Sequence, residues 1–338
     1  MVILQTPRLR LRVARDADTA AMAAYRSDPE VAKYQDWEMP YTLSRAVAGA
    51  AKQATFDDVV EGSWVSFAIE LDGEVIGDIV ARVREGGGIA EMGYTLAPQH
   101  HGHGYATEAA NAMVDHLLQH HGVHRIEASL DPENIASMRV LEAVGMHIEC
   151  LARDAYLVRG EWVDDLRYSL VAQERTAWLQ RPQTPAAVVE LVEITPEDAY
   201  LWGRLRTHHS QKRFVSPMAL SFRDALFPEV YEGASMVPWM RGILADGERV
   251  GFLMMGMVTD HHPEPYLWRL LIDRTQQRRG LGSHVLELLV AQVREWGHTT
   301  LTTSWSQGPG SPEPFYLGHG FVPTGVIEDE EVVGRLML

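Results

Sequence analysis

Leu9, Leu11 and Val13 alternate with Arg10 and Arg12, the two-residue period of a strand buried on one face. Asp16 to Arg26 then reads as a helix, and strands are predicted at Trp64 to Glu70 and Val75 to Val83, joined through a Leu71-Asp72-Gly73-Glu74 hairpin turn. A further strand from Glu91 to Leu96 precedes a helix from Tyr105 to Leu118, where Ala106, Ala109, Ala110, Met113, Leu117 and Leu118 recur at helical spacing. Arg125 to Leu130 reads as a strand, followed by a helix that Gly145 closes. The second half repeats this order. A helix starts at Thr195-Pro196-Glu197-Asp198, and Gly242 to Ala245 pairs with Val250 to Val258 around Asp246-Gly247-Glu248. Tyr266 to Ile272 is a strand, and Ser283 to Trp296 is a helix with Val285, Leu288, Leu289 and Val293 on one face.

In both halves the strand-to-helix junction carries paired glycines. Gln99-His100-His101-Gly102-His103-Gly104-Tyr105 and Gln277-Arg278-Arg279-Gly280-Leu281-Gly282-Ser283 share the spacing Gln-x-x-Gly-x-Gly. Such a turn lets backbone approach a ligand and aims the first helical N–H groups at an anion. A dinucleotide fingerprint would need a third glycine where Thr107 and Val285 stand, and the Lys-Ser/Thr ending of a P-loop is missing. Three landmarks repeat at nearly constant offset: Asp18 with Asp198, Gln99 with Gln277, and Gly145-Met146 with Gly320-Phe321. That regularity predicts a tandem duplication of one fold.

The 338 residues suffice for two domains, each with its own core. No apolar run approaches a membrane span, and Met1 to Arg8 lacks the apolar core of a signal peptide, so a cytoplasmic protein is expected. The single cysteine, Cys150, excludes an internal disulfide framework and reads as a small core residue. A formal charge of −16, shared by both halves, argues against nucleic acid or an anionic membrane as partner. It suits a cationic amine, or simply solubility. His100, His101, His103, His120, His121 and His124 have spacings that do not put two ligands on one face, so they are read as surface residues and no metal is predicted.

The two loops resemble the signature Gln/Arg-x-x-Gly-x-Gly/Ala of the GNAT superfamily of acyl-CoA-dependent N-acyltransferases. The implied fold class is mixed α/β (α+β): two tandem GNAT folds, each a mostly antiparallel central sheet flanked by helices. Domain 1 would span residues 1–180, a Pro-containing linker residues 181–188, and domain 2 residues 189–338. Thr6-Pro7-Arg8-Leu9-Arg10-Leu11-Arg12, Ser27-Asp28-Pro29-Glu30-Val31, Gly93-Tyr94, Asn134-x-x-Ser137 and Gly160-x-Trp162 make the first half similar to the RimJ/RimL subgroup. Leu267-Trp268-Arg269-Leu270-Leu271-Ile272-Asp273, Gly308-x-Gly310-Ser311-Pro312-x-x-Phe315-Tyr316 and Glu331-Val332-Val333 make the second similar to polyamine and diamine acetyltransferases. Pro309 and Val326 depart from that second pattern, at the usual helix-start asparagine and at a frequent acidic position.

The resemblance implies acetyl-CoA as co-substrate. Leu96, Gln99, Gly102, His103, Gly104, Tyr105, Ala106, Asn134 and Ser137 would contact it in the first half. In the second half the contacts would be Leu270, Ile272, Gln277, Arg278, Arg279, Gly280, Leu281, Gly282 and Ser283, the arginines adding charge for a pyrophosphate. Asn134 would reach the pantetheine arm and Ser137 the thioester sulfur, although both residue types also suit a plain helix start. Tyr316 would protonate the departing thiolate, or else be core, and a backbone N–H between Trp268 and Leu271 would face the oxyanion. Glu331 is the candidate base of the second half; Glu91 is either a base in the first half or a solvated strand end. Three readings stand: catalysis by the second half with the first holding acetyl-CoA, catalysis by both, or a non-catalytic acyl-CoA-binding regulator. The expected acceptor is a small primary amine, such as a polyamine, an aminoglycoside or another amine metabolite, ahead of a protein N-terminus. The chain would work as a monomer or homodimer.

Overall fold

The computed structural model describes residues 2–228, 230, 231 and 234–338. It divides into two compact units, Met1–Gln180 and Arg181–Leu338. In unit 1 the chain runs β1 (Ile3–Gln5), β2 (Leu9–Val13), α1 (Thr19–Arg26), α2 (Pro29–Ala32), α3 (Leu43–Gln53), β3 (Val65–Leu71), β4 (Glu74–Val83) and β5 (Ile89–Leu96). It continues with α4 (Tyr105–His120), β6 (Arg125–Leu130), α5 (Ile135–Ala143), β7 (His147–Val158), β8 (Glu161–Val171) and α6 (Ala172–Gln180). The strands form one sheet in the order β1-β2-β3-β4-β5-β6-β8-β7, antiparallel except for β5 beside β6.

The alternating side chains Leu9, Leu11 and Val13 are fully buried, and Arg10 and Arg12 leave the core to bind Glu70, Arg12 also reaching Asp18. The sheet's other partner is α4, whose Ala109, Ala110, Met113, Val114 and Leu117 are fully buried at the predicted helical spacing. Between β3 and β4 the turn holds Asp72 and Gly73 at φ 52° and 89°, the left-handed geometry a two-residue hairpin needs. Residues 16–18 are a short 3-10 turn ahead of α1 rather than part of one long helix. The helix α3 was not predicted: LSRAVAGAAKQ buries only Ala46 and Ala50, too small a stripe to stand out in the sequence. Cys150 is corrected too. It lies on β7, at the sheet edge, and is exposed rather than core.

Unit 2 contains β9 (Val189–Val192), α7 (Ala199–Trp202), α8 (Met218–Leu226), β10 (Val230–Tyr231), β11 (Ala234–Ser235), β12 (Val237–Ala245), β13 (Glu248–Met257) and β14 (Tyr266–Ile272). After these come α9 (Leu281–Glu295), β15 (Thr300–Ser306), α10 (Glu313–Gly318), β16 (Val322–Glu328) and β17 (Glu331–Met337). Its sheet runs β16-β17-β15-β14-β13-β12-β9, with β14 and β15 parallel. Val285, Leu289 and Val293 of α9 are fully buried against it. The expected linker is tied into this unit: Asp246 accepts from the N–H groups of Ala187 and Val188, and Thr184 O accepts from Arg279. Among the described residues no helix is long and apolar enough to cross a membrane.

Gly145 closes α5 at φ 97°, and a Cβ there would stand 2.6 Å from the Trp178 ring. Gly145→Ala should therefore destabilise unit 1 by about 2 kcal/mol or more, through backbone strain and collision together, which a denaturant melt would measure.

Candidate active site

Both parallel pairs come apart after very few residues. In unit 2 the pairing of β14 with β15 covers only Tyr266 with Thr302 and Leu267 with Thr303. In unit 1 the pairing of β5 with β6 ends at Glu91 with Glu127. Beyond those points the facing backbone edges have no ladder partners between the two strands. Unit 2 adds a bulge: Leu267 pairs with Met255 and Arg269 with Met254, so Trp268 is an extra residue in β14. A bulge re-aims the backbone groups beside it. β5 has no such irregularity against β4.

Next to this opening in unit 2 is a cavity of about 290 Å³ lined by Leu270, Leu271, Ile272, Gln276, Gln277, Arg278, Gly280, Leu281, Gly282, Ser283 and Phe315, together with Thr207, Gln211 and Val215. The helix begins at Leu281, and its first bond back to the turn is His284 N–H to Gly280 O, so the three preceding amides are outside the helical ladder. In unit 1 the same holds for Tyr105, Ala106 and Thr107, with Glu108 N–H bonding Gly104 O. Both helix starts are thus built to receive an anion.

The structure corrects the register of the repeat. The left-handed residue that caps α4 is Gly104 (φ 80°) and the one that caps α9 is Gly280 (φ 75°), so these two correspond. Two residues earlier, Gly102 (φ 79°) corresponds to Arg278 (φ 67°). His101 Nε2 donates to Leu96 O at 3.0 Å as Gln277 donates to Ile272 O at 3.0 Å, so His101, not Gln99, holds the place of Gln277. Gln99 is exposed and belongs to the turn before the loop. Matching glycine to glycine misaligned the loops because the shared property is a positive φ, which an arginine supplies in one copy.

Arg279 is also corrected as an anion ligand. Its guanidinium is buried, donating to Thr184 O and Gln276 and pairing with Asp246, and so it fastens the loop from behind. Arg278, by contrast, lines the cavity.

Tyr316 is 8% exposed, stacked on Trp305 at 5.5 Å and edge-on to Phe315 and Phe321. Its ring is therefore core, while the hydroxyl is bonded to the Thr303 side chain, at the last paired position before β15 leaves β14. Burial pushes its pKa up to about 12, partly offset by that bond. Glu331 sits opposite Ser306 on the same side of the divergence, accepting from Ser306 Oγ at 3.1 Å and from Ser304 Oγ. Ser304 in turn meets Tyr266 Oη at 2.8 Å, so a hydrogen-bonded chain runs from Glu331 to β14. Thr303, Ser304 and Tyr266 were not singled out in the sequence; the alternation of Thr302, Ser304 and Ser306 along β15 is the signal that would have found the serines.

In unit 1 a separate cavity of about 100 Å³ brings together Asn134, Ser137, Tyr94, Gly93 and Leu141, away from the glycine loop. Asn134 Oδ1 caps α5 by accepting from Ser137 N–H at 3.1 Å, and Tyr94 Oη donates to Ser137 O. Burial holds the Tyr94 pKa well above its ordinary value. Glu91 is gripped by Arg82 and Arg84; burial alone would raise its pKa, but the two guanidiniums hold it below the usual range. An ion-paired carboxylate of that kind is a weak base, which corrects the expectation for Glu91. The helix-closing glycines align Tyr316 with Leu141, since Met146 N–H bonds Leu141 O as Phe321 N–H bonds Tyr316 O.

One histidine outside the group read as surface residues, His116, enters a cluster with one inside it. His121 meets His116, five residues before it on α4, and both meet Asp58. The partner carboxylate is distant in the sequence, so spacing alone could not reveal the group.

Two sheets with a diverging parallel pair, each followed by an amide-lined helix start, define an acyl-CoA-dependent acyltransferase. Residues 8–147 match the family model described as an acetyltransferase (GNAT) domain, and residues 202–321 match the acetyltransferase (GNAT) family model. The uncharacterized N-acetyltransferase p20 of Bacillus licheniformis is 35% identical over 178 residues, 52% of this chain and 98% of that protein. The uncharacterized N-acetyltransferase YnaD of Bacillus subtilis is 32% identical over 173 residues, 51% of this chain and 98% of its own. Mycobacterium smegmatis RimJ, solved in complex with CoA-disulfide, is 30% identical, covers 49% of this chain and 83% of that one, and has a TM-score of 0.44. The chain belongs to the GNAT family and is an acetyl-CoA-dependent N-acetyltransferase.

If Arg278 faces the bound anion and Arg279 only braces the loop, the two alanine variants should differ in kind. Arg278→Ala should raise the acetyl-CoA Kd by about tenfold at low salt in calorimetry, the loss of one charge-assisted contact. Arg279→Ala should instead lower the melting temperature, because it strips partners from a buried network.

Proposed function

We propose that unit 2 transfers an acetyl group directly to the primary amine of a small molecule, while unit 1 binds acetyl-CoA without being the main catalyst. What carries this reading is one conjunction in unit 2: a bulged strand, a diverging neighbour, a protonated tyrosine at the point of divergence and an amide-lined cavity beside it. Unit 1 has the amides but lacks the bulge, and Leu141 stands at the tyrosine's place.

Acetyl-CoA supplies the activated acetyl group as a thioester. The amides of Leu281, Gly282 and Ser283, with Arg278, hold its phosphates, and the edges of Leu270, Ile272 and Gln277 shape the channel for its arm. A re-aimed N–H of β14 near Trp268 stabilises the oxyanion as it forms. An alkyl ammonium of pKa ~10 is neutral only about one time in a thousand at pH 7, so its proton must leave before attack. Glu331 receives it, through Ser304 or a water. Tyr316 keeps its own proton at neutral pH and gives it to the departing sulfur.

In unit 1, Gly102, His103, Gly104, Tyr105 and Ala106 form the corresponding anion loop, with Leu96 at the end of the strand that leads into it. Asn134 and Ser137 line the cavity for the pantetheine end. Glu91 takes no part. The net charge of −16 favours a cationic acceptor, a polyamine or aminoglycoside rather than a protein.

Tyr316→Phe should lower kcat by about 10²-fold and leave the acetyl-CoA Kd unchanged, in a thiol-release assay over an amine panel. Survival of activity in that variant together with its loss in Ser137→Ala would move catalysis to unit 1. In the wild type, kcat should rise with pH as the amine deprotonates and show no decline from Tyr316 until pH nears about 12.

A further inference from the structure

The cluster at the far end of α4 is not used by acetyl transfer. His116 is buried on the last turns of the helix, His121 caps its end, and Asp58 comes from the segment before β3. His116 Nε2 is 2.7 Å from Asp58 Oδ1, His121 Nε2 is 3.3 Å from Asp58 Oδ2, and the two Nε2 atoms are 3.2 Å apart. Three potential ligand atoms thus lie within 4.8 Å of one another, the one such set among the described residues.

We infer that Asp58, His116 and His121 form a binding site for a divalent transition metal, zinc being the best fit. Bonds of about 2.0–2.1 Å in tetrahedral geometry place neighbouring ligand atoms about 3.3 Å apart. The two Nε2 atoms, 3.2 Å apart, and His121 Nε2 with Asp58 Oδ2, 3.3 Å apart, already have that length, while His116 rests on the other carboxylate oxygen, Oδ1, and must shift from it to share Oδ2. Asp58 Oδ1 already accepts from Val59 N–H, and two imidazole Nε2 atoms face each other beside one carboxylate. Each Nε2 faces its own Asp58 oxygen, and an imidazole that carries its hydrogen on Nδ1 instead turns the Nε2 lone pair into the group, as a metal requires.

The mix of two imidazoles and a carboxylate suits zinc or cobalt rather than calcium or magnesium. A cation there also lies at the C-terminal end of α4, where the helix dipole favours positive charge. Asp58 and His121 are 28% and 20% exposed at their side chains, which leaves a path for the ion and a fourth position for water. The site is structural: it pins the end of α4 to the strand-leading segment at Asp58, whereas the coenzyme loop is at the helix's other end.

The test uses the full-length, tag-free protein after treatment with a chelator. Titration with Co²⁺ should give the intense visible bands of a four-coordinate site at one ion per chain, and Zn²⁺ should displace it. His121→Asn should weaken Zn²⁺ binding by at least ~100-fold with the circular dichroism spectrum unchanged. Asp58→Asn, at a partly exposed position, should do the same and provides the reading if His121→Asn disturbs α4. Absence of the four-coordinate Co²⁺ spectrum, or uptake equal to wild type in both variants, would overturn the assignment.

Discussion

The structure depends on the separation of two parallel strands. Parallel neighbours need a crossover between them, and here the crossovers are α4 and α9, the helices that bear the anion loops. Pairing stops after Leu267 with Thr303 in unit 2 and after Glu91 with Glu127 in unit 1. Each sheet therefore carries unladdered backbone at its middle, and a buried peptide group left without a partner is costly. In the proposed function an extended ligand lies in that gap, with its charged end at the helix start beyond the strand. The hydrophobic packing of Val285, Leu289 and Val293, or of Ala109, Met113 and Leu117, serves this geometry because it fixes where the helix amides point.

The two units solve the same folding problem and differ in what they add. Unit 2 puts an extra residue, Trp268, into β14 and a tyrosine hydroxyl beside Thr303. Unit 1 keeps β5 regular, fills the tyrosine's place with Leu141 and uses Glu91 in a pair of salt bridges. In the proposed function this division leaves one copy to hold the coenzyme and the other to catalyse.

Much of this was legible in the chain. Alternation at Leu9, Leu11 and Val13 and the apolar stripes of α4 and α9 are signals generated by the same burial that the structure displays, and the Asp-Gly hairpins by the positive φ that their turns require. The glycine loops were found for a sound physical reason, yet their register was read two residues out because a positive φ belongs to a position and not to a residue type. Arg279 looked like an anion ligand since charge is visible in a sequence and burial is not. The bulge at Trp268, the Glu331–Ser304–Tyr266 chain and the meeting of Asp58 with His116 and His121 all depend on strand pairing or on contacts distant along the chain, which no local pattern encodes.

The most direct test of the account is amide hydrogen exchange across the full chain, with and without acetyl-CoA. Exchange should slow at Leu281 to Ser283 and along Trp268 to Leu271, with protection also at Tyr105 to Thr107. Protection confined to the first unit, with the second unit's loop and bulged strand exchanging as in the free protein, would contradict it.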